Sequence, residues 1–338
     1  MLRREFIDKA GRTIAAGALV GWACSSSRSG LASRSSGGNR SPGPTGAPMP
    51  MDAAAFHAGR RFAKTPFGRV AYVERGTGDA ALFLHGFPLN GFQWRGALER
   101  LSPVRRCIAP DFLGLGYSEV ADGQSLAPFA QLAMLVALLD TLSISRVDLV
   151  ASDSGGAIAQ LFAARHPERV RSLLLTNCDT EKDSPPAVLM PVIEMSRAGT
   201  FADSRFPPQL ADKSLARSPR GIGGLFYSDP AHPTDEAVDY YFAPLVASAL
   251  RKTQVHAYAI ALERNPLEGI QPLLRRCTVP TRIVWGTADT AFSPESPDYL
   301  DRTFGSSRGV RRLPGRKLFW PEELPDVLAD EARRLWGE

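Results

Sequence analysis

The sequence predicts an α/β fold whose core is a doubly wound, mostly parallel sheet. Three observations carry that prediction. At Val147–Gln160 a short apolar run stops at a polar, glycine-bearing corner, Ser152-Asp153-Ser154-Gly155-Gly156, and passes directly into the small and apolar residues of a helix ending near His166-Pro167. Upstream of that corner, apolar runs and helical patterns alternate as strand, helix, strand, helix, an order that implies crossover connections and parallel pairing. The composition, 44% hydrophobic and 22% charged over 338 residues, is that of an ordinary globule with room for one large domain and an inserted subdomain.

Residues 1–24 read as an export signal. Arg3-Arg4-Glu5-Phe6 opens a charged segment, and Ile14–Ala23 is weakly apolar and too short to span a bilayer. The paired arginines followed by Phe resemble the twin-arginine type, which delivers a folded protein to the periplasm. Cys24 resembles a lipoprotein acylation site and so a membrane tether, although Gly21 and Trp22 depart from the usual residues before such a cysteine. Translation from Met49 or Met51 would instead give a cytoplasmic protein. Residues 25–61 are expected to form a disordered linker, because Ser25–Pro50 is rich in Ser, Gly, Pro and Arg and lacks apolar periodicity. The formal charge of +5 falls partly on this leader, through Arg3, Arg4, Lys9, Arg12, Arg28, Arg34 and Arg40, so it gives little support to a nucleic-acid partner. Cys107, Cys178 and Cys277 lie in or beside apolar stretches with no metal-ligand spacing and read as buried thiols; neither a metal nor a cofactor is expected.

The core begins near Phe62, with strands at Gly68–Glu74 and Ala81–Leu84. The second strand runs into His85-Gly86-Phe87-Pro88, followed by Trp94 and a helix through Leu101. His85 ends a strand beside Gly and reads as a residue that fixes the loop. Cys107–Pro110 forms the next strand and leads into the glycine-punctuated loop Asp111–Ser118. A helix over Pro128–Leu142, with Leu132, Leu135, Leu138, Leu139 and Leu142 at helical spacing, then feeds the corner at Asp153. A side chain lifted above the sheet by such a corner needs small residues two before it and two and three after it. Asp153 meets this with Ala151, Gly155 and Gly156, whereas Ser154 fits only if the strand runs one residue further. An Asp before a helix is also a common N-cap.

His85-Gly-Phe-Pro, the Asp111–Ser118 loop and Ala151-Ser-Asp153-Ser-Gly-Gly together resemble the α/β-hydrolase superfamily, in particular its haloalkane dehalogenase and epoxide hydrolase branch. The resemblance is strong over 62–178 and weaker over 259–338. It implies that Asp153 is a nucleophile and that the backbone N–H groups of Phe87 and Ser154 form the hole for developing negative charge. It also implies a mostly helical cap at 181–258, inserted into a core of 62–180 and 259–338, that closes over a small hydrophobic substrate of the epoxide, haloalkane or ester class. Trp94, Tyr227, Tyr240 and Tyr241 are the candidate substrate-binding residues, with Tyr258 a further cap tyrosine; phenols over the nucleophile would suit epoxide opening. Dehalogenases of the family usually carry Trp after the nucleophile and often Asn after His-Gly; here those positions hold Ser154 and Phe87.

After the strand Thr281–Trp285, Asp289 stands where the family keeps the acid that orients a catalytic histidine, with Asp179, after Val170–Thr176, the alternative location. The histidine itself is absent. Family members carry it a few residues after the Pro-Gly that follows the last strand, here Val310–Leu313, and the residue that lines up is Leu318. No histidine follows His256. His256, at the return from the cap, is one substitute base to consider; chemistry without it, with Asp153 acting as acid or base itself or Asp289 activating water, is another. Without a base, an ester formed on Asp153 should accumulate. A protein that keeps the pocket but not the turnover is the alternative.

Overall fold

Apolar strands capped by polar corners assemble, in the computed structural model, into one sheet. The described residues are 51–338; the expected export signal, Cys24 and most of the expected linker lie outside them. The strands are β1 (Arg60–Thr65), β2 (Gly68–Arg75), β3 (Ala80–Leu84), β4 (Arg106–Pro110), β5 (Val147–Asp153), β6 (Val170–Cys178), β7 (Thr281–Gly286) and β8 (Ser307–Leu313). Their order is β1-β2-β4-β3-β5-β6-β7-β8, with β1/β2 and β2/β4 antiparallel and the rest parallel. β3 is buried at every position and β5 at every position before Asp153, the mark of parallel strands covered on both faces.

The expected linker boundary at 61 is corrected by the described residues. Ala53–Ala58 forms a helix, α1, capped by Asp52, whose Oδ1 accepts from Ala55 N at 2.7 Å. β1 then pairs along its whole length with β2. Only Ala63 of β1 is buried, so this charged edge strand carries no apolar alternation to announce it.

Helices α2 (Arg95–Leu101), α3 (Pro128–Thr141) and α4 (Ser154–Arg165) connect the early strands. Between β6 and β7 lie α5 (Met190–Arg197), α6 (Phe201–Ala211), α7 (Lys213–Arg217), α8 (Ile222–Phe226), α9 (Asp235–Val246), α10 (Ala249–Ala261) and α11 (Gln271–Arg276). α12 (Ser296–Thr303) precedes β8, and α13 (Trp320–Glu323) and α14 (Pro325–Trp336) close the chain.

The sequence order reverses between β3 and β5: β4 lies to one side of β3, and β5, β6, β7 and β8 follow on the other. In open parallel sheets the crevice beyond the carboxyl ends of strands at such a reversal is where ligands bind. His85-Gly86-Phe87 leaves β3 there, Asp153 ends β5, Asp179 follows β6, Asp289 follows β7 and Leu318 follows β8.

Candidate active site

The corner after β5 is built by the absence of side chains. Asp153 has φ 55° and ψ −137°, a backbone region sparsely used by L-residues that typically costs 1–3 kcal/mol. That strain is held by packing that admits no Cβ nearby. A Cβ on Gly86 would stand 2.3 Å from the Asp153 Cβ, one on Gly155 2.4 Å from the His85 carbonyl oxygen, and one on Gly156 2.3 Å from the Cys178 Cβ. Asp153 is therefore the residue at the apex of the turn, and Ser154 is the first residue of α4.

The two amides expected to form a hole for negative charge converge on Asp153 itself. Phe87 N donates to Asp153 Oδ1 at 3.1 Å, and Ser154 N donates to the same oxygen at 2.5 Å. Neither amide engages Oδ2, and Asp153 lines the cavity. Burial pushes the Asp153 carboxyl up to about 6; the two amides oppose that rise and the charge of Asp289 adds to it. An acid so placed is ionised at neutral pH yet poorly solvated, the condition of a competent carboxylate nucleophile.

Around it lies a cavity of about 380 Å³ lined mostly by apolar residues. The core supplies Phe87, Phe292 and Leu318, while Phe201, Phe206, Ile222, Phe226 and Phe242 come from the cap helices and Leu262 from just after α10. Among the described residues its titratable lining consists of Asp153, Asp179, Arg205 and Arg220. The aromatic and aliphatic cap positions were not singled out from sequence, because apolar residues at helical spacing are what any packed helix shows.

Asp179 is 7% exposed and its carboxyl is pushed up to about 7, first by burial and then by the charges of Asp153 and Asp183. Asp289 also rises through burial, but its carboxylate is committed to the protein. Oδ1 accepts from Ala291 N and Oδ2 from Asn177 Nδ2, each at 2.9 Å. Asn177 is in turn fixed by Gly286 N at 2.7 Å and the Trp320 indole N–H at 3.2 Å. Leu318, 1% exposed, lines the cavity with Asp153, where a basic ring would otherwise stand.

Several expected site residues fall elsewhere. His256 does not line the cavity; its Nε2 accepts from Ala202 N at 2.9 Å, which consumes the lone pair a base would need. Trp94 is fully buried against Phe83, with ring centroids 5.8 Å apart, and does not reach the cavity. Tyr227 and Tyr241 are equally buried, and their hydroxyls donate to Glu322 Oε2 at 2.6 and 3.0 Å. Arg95 Nη1 donates to the other oxygen of Glu322 at 2.5 Å, so both tyrosines belong to a buried polar cluster joining cap and core. Tyr240 receives the Arg60 guanidinium and packs on Phe92 at 4.6 Å, also away from the cavity. Tyr258 does not line the cavity either; it is buried and stacks on the lining residue Phe87, with centroids 5.5 Å apart and planes 6° apart. His85 fixes the Phe87 loop: Nδ1 faces the Gly86 carbonyl at 2.9 Å and Nε2 accepts from Phe112 N at 3.0 Å, while burial lowers its pKa to about 4.

Comparison with known proteins agrees with this geometry. The family described as alpha/beta hydrolase fold matches residues 80–320. Haloalkane dehalogenase 2 of Mycobacterium tuberculosis is 29% identical over 273 residues, covering 78% of this chain and 89% of the relative. A haloalkane dehalogenase of Mesorhizobium japonicum is 44% identical over 105 residues, 31% of this chain and 34% of the relative. Among solved structures, the epoxide hydrolase CorEH superposes with a TM-score of 0.68 at 20% identity over 82% of this chain and 98% of its own. An alpha/beta hydrolase fold protein from Burkholderia ambifaria superposes with a TM-score of 0.67 at 23% identity, over 80% of this chain and 96% of its own. A family match over residues 80–320, on a sheet of this order, means that this chain belongs to the α/β-hydrolase fold family.

Proposed function

We propose that the protein is a hydrolase in which Asp153 Oδ2 attacks an electrophilic carbon of a small hydrophobic epoxide or haloalkane, breaking its C–O or carbon–halogen bond, to form an alkyl ester and leave a halide ion or an alkoxide that takes a proton from water. The observation that carries this reading is the pair of amides on Asp153 Oδ1, which leaves one carboxylate oxygen to attack and stabilises the other as negative charge develops there during ester hydrolysis. The apolar cavity supports a hydrophobic substrate. The dehalogenase names of the curated relatives support an alkyl electrophile. Incubation with 1,2-epoxyhexane and 1-bromohexane, followed by intact mass and product analysis, tests it: adduct or product that disappears in Asp153→Ala is expected, and neither species in the native protein would refute it.

Leu318 favours a second reading, a ligand-binding protein that keeps the cavity without turnover. Saturable binding of the intact electrophile, without product or adduct, would favour it. For delivery, the Arg3-Arg4 segment supports twin-arginine export to the periplasm and Cys24 a lipid tether. Unchanged periplasmic location of an Arg3→Lys/Arg4→Lys variant on cell fractionation would contradict the export route.

A further inference from the structure

Given that Asp153 is the nucleophile, hydrolysis of its ester requires something to take a proton from water, and the usual ring is replaced by Leu318. The candidates can be eliminated from their contacts. His256 spends its Nε2 on Ala202 N and stands off the cavity. His85 is locked between Gly86 and Phe112. Asp289 does not line the cavity, and both its oxygens accept hydrogen bonds from Ala291 and Asn177. Arg205 and Arg220 cannot act as bases at any working pH. One proton acceptor on the cavity wall is left besides the nucleophile, and it is Asp179.

Its position is fixed by the sheet. β5 and β6 are parallel neighbours in which Asp153 lies opposite Cys178, so Asp179 is the next residue along the adjacent strand end, at the spacing of two paired strands. Gln160 Nε2 holds the Asp179 backbone carbonyl at 2.7 Å, which anchors the turn without using the carboxylate. Burial and the charges of Asp153 and Asp183 are what raise the pKa of that carboxylate.

We propose that Asp179 is the general base of the second half-reaction, in place of the absent histidine. A water O–H bond breaks with its proton passing to the Asp179 carboxylate, while the water oxygen bonds to the ester carbon of Asp153. The resulting negative charge rests on Oδ1, between Phe87 N and Ser154 N. The bond from that carbon to Oδ2 then breaks, and the product leaves as an alcohol carrying Oδ2 and the proton returned by Asp179. In the ester Asp153 is uncharged, so its contribution to the raised Asp179 pKa, second to that of burial, is relieved.

The experiment is a single-turnover reaction of native, Asp179→Asn and Asp153→Ala protein with 1,2-epoxyhexane in H2(18)O, followed by intact mass. Native protein is expected to release product whose new oxygen is unlabelled in the first turnover. Asp179→Asn should form the Asp153 adduct, which also reports a folded site, and release product about 10²–10⁴-fold more slowly; Asp153→Ala should form neither. Asp179→Asn turning over at the native rate would overturn the role of Asp179 and leave the nucleophile standing. So would native protein that stalls as a permanent adduct. Label in the first product, or no adduct and no product with any variant, would overturn the Asp153 reading itself.

Discussion

Replacing Glu322 by Gln tests whether Tyr227 and Tyr241 are structural. The Glu322 side chain is 2% exposed and accepts from Arg95, Tyr227 and Tyr241, while Arg95 is itself largely buried at 15%. A glutamine keeps one carbonyl acceptor but points an N–H2 group at donors, and it leaves the Arg95 charge buried without a counter-charge. Breaking a buried pair in this way costs about 3–5 kcal/mol. With roughly 2–4 °C lost per kcal/mol in domains somewhat smaller than this one, the Tm should fall by about 6–20 °C. Tyr227→Phe removes a single hydrogen bond to a carboxylate, worth about 1.5–3 kcal/mol, and should give a smaller fall. Thermal unfolding at pH 7 by circular dichroism reads both. A Glu322→Gln protein within about 2 °C of native would refute the account of the cluster. Tyr227→Phe with unchanged Tm but raised KM would return that tyrosine to the substrate.

Three further outcomes are expected. Asp153 and Asp179 both bind protons more tightly folded than unfolded, so their contribution to stability falls as pH rises from about 4 through about 7. Asp153→Asn should therefore stabilise the fold at pH 8 by up to about 3 kcal/mol for a carboxyl moved from 3.8 to about 6, read by denaturant titration, with the gain vanishing near pH 4; a gain independent of pH would contradict the buried-charge account. Alkylation of Asp153 needs its ionised form, so the rate of adduct formation should climb as pH passes about 6, measured by quenched intact mass. Gly155→Ala drives a Cβ to within 2.4 Å of the His85 carbonyl oxygen and 2.7 Å of the Leu84 carbonyl oxygen, and should cost about 1–3 kcal/mol in denaturant titration.

What could be read from the chain and what could not divide along physical lines. β3 and β5 are covered on both faces, so their apolar runs announced them, and the glycines around Asp153 announced the corner because no other residue fits. β1 is a charged edge strand with one buried residue and gave no such signal. Within the cap, sequence offers no means to tell a phenol aimed at substrate from one aimed at Glu322. Tyr227, Tyr240 and Tyr241 went to packing, and Tyr258 supports Phe87 from behind, because of how the cap packs on the core, which periodicity does not encode. His256 likewise carries the right chemistry on the wrong face of α10. Leu318, by contrast, was legible as a missing base from its place after Pro314-Gly315, and it does line the cavity.

The two amides on Asp153 Oδ1 give its carboxylate a history. With that oxygen pinned, the side chain cannot exchange its two oxygens by rotation. Each turnover of the proposed cycle exports the oxygen at Oδ2, and the incoming water replaces it in the same place. Asp153 would thus hold one resident oxygen for the life of the protein and one that is renewed every cycle. After many turnovers in heavy-oxygen water, the residue would carry a single label rather than two.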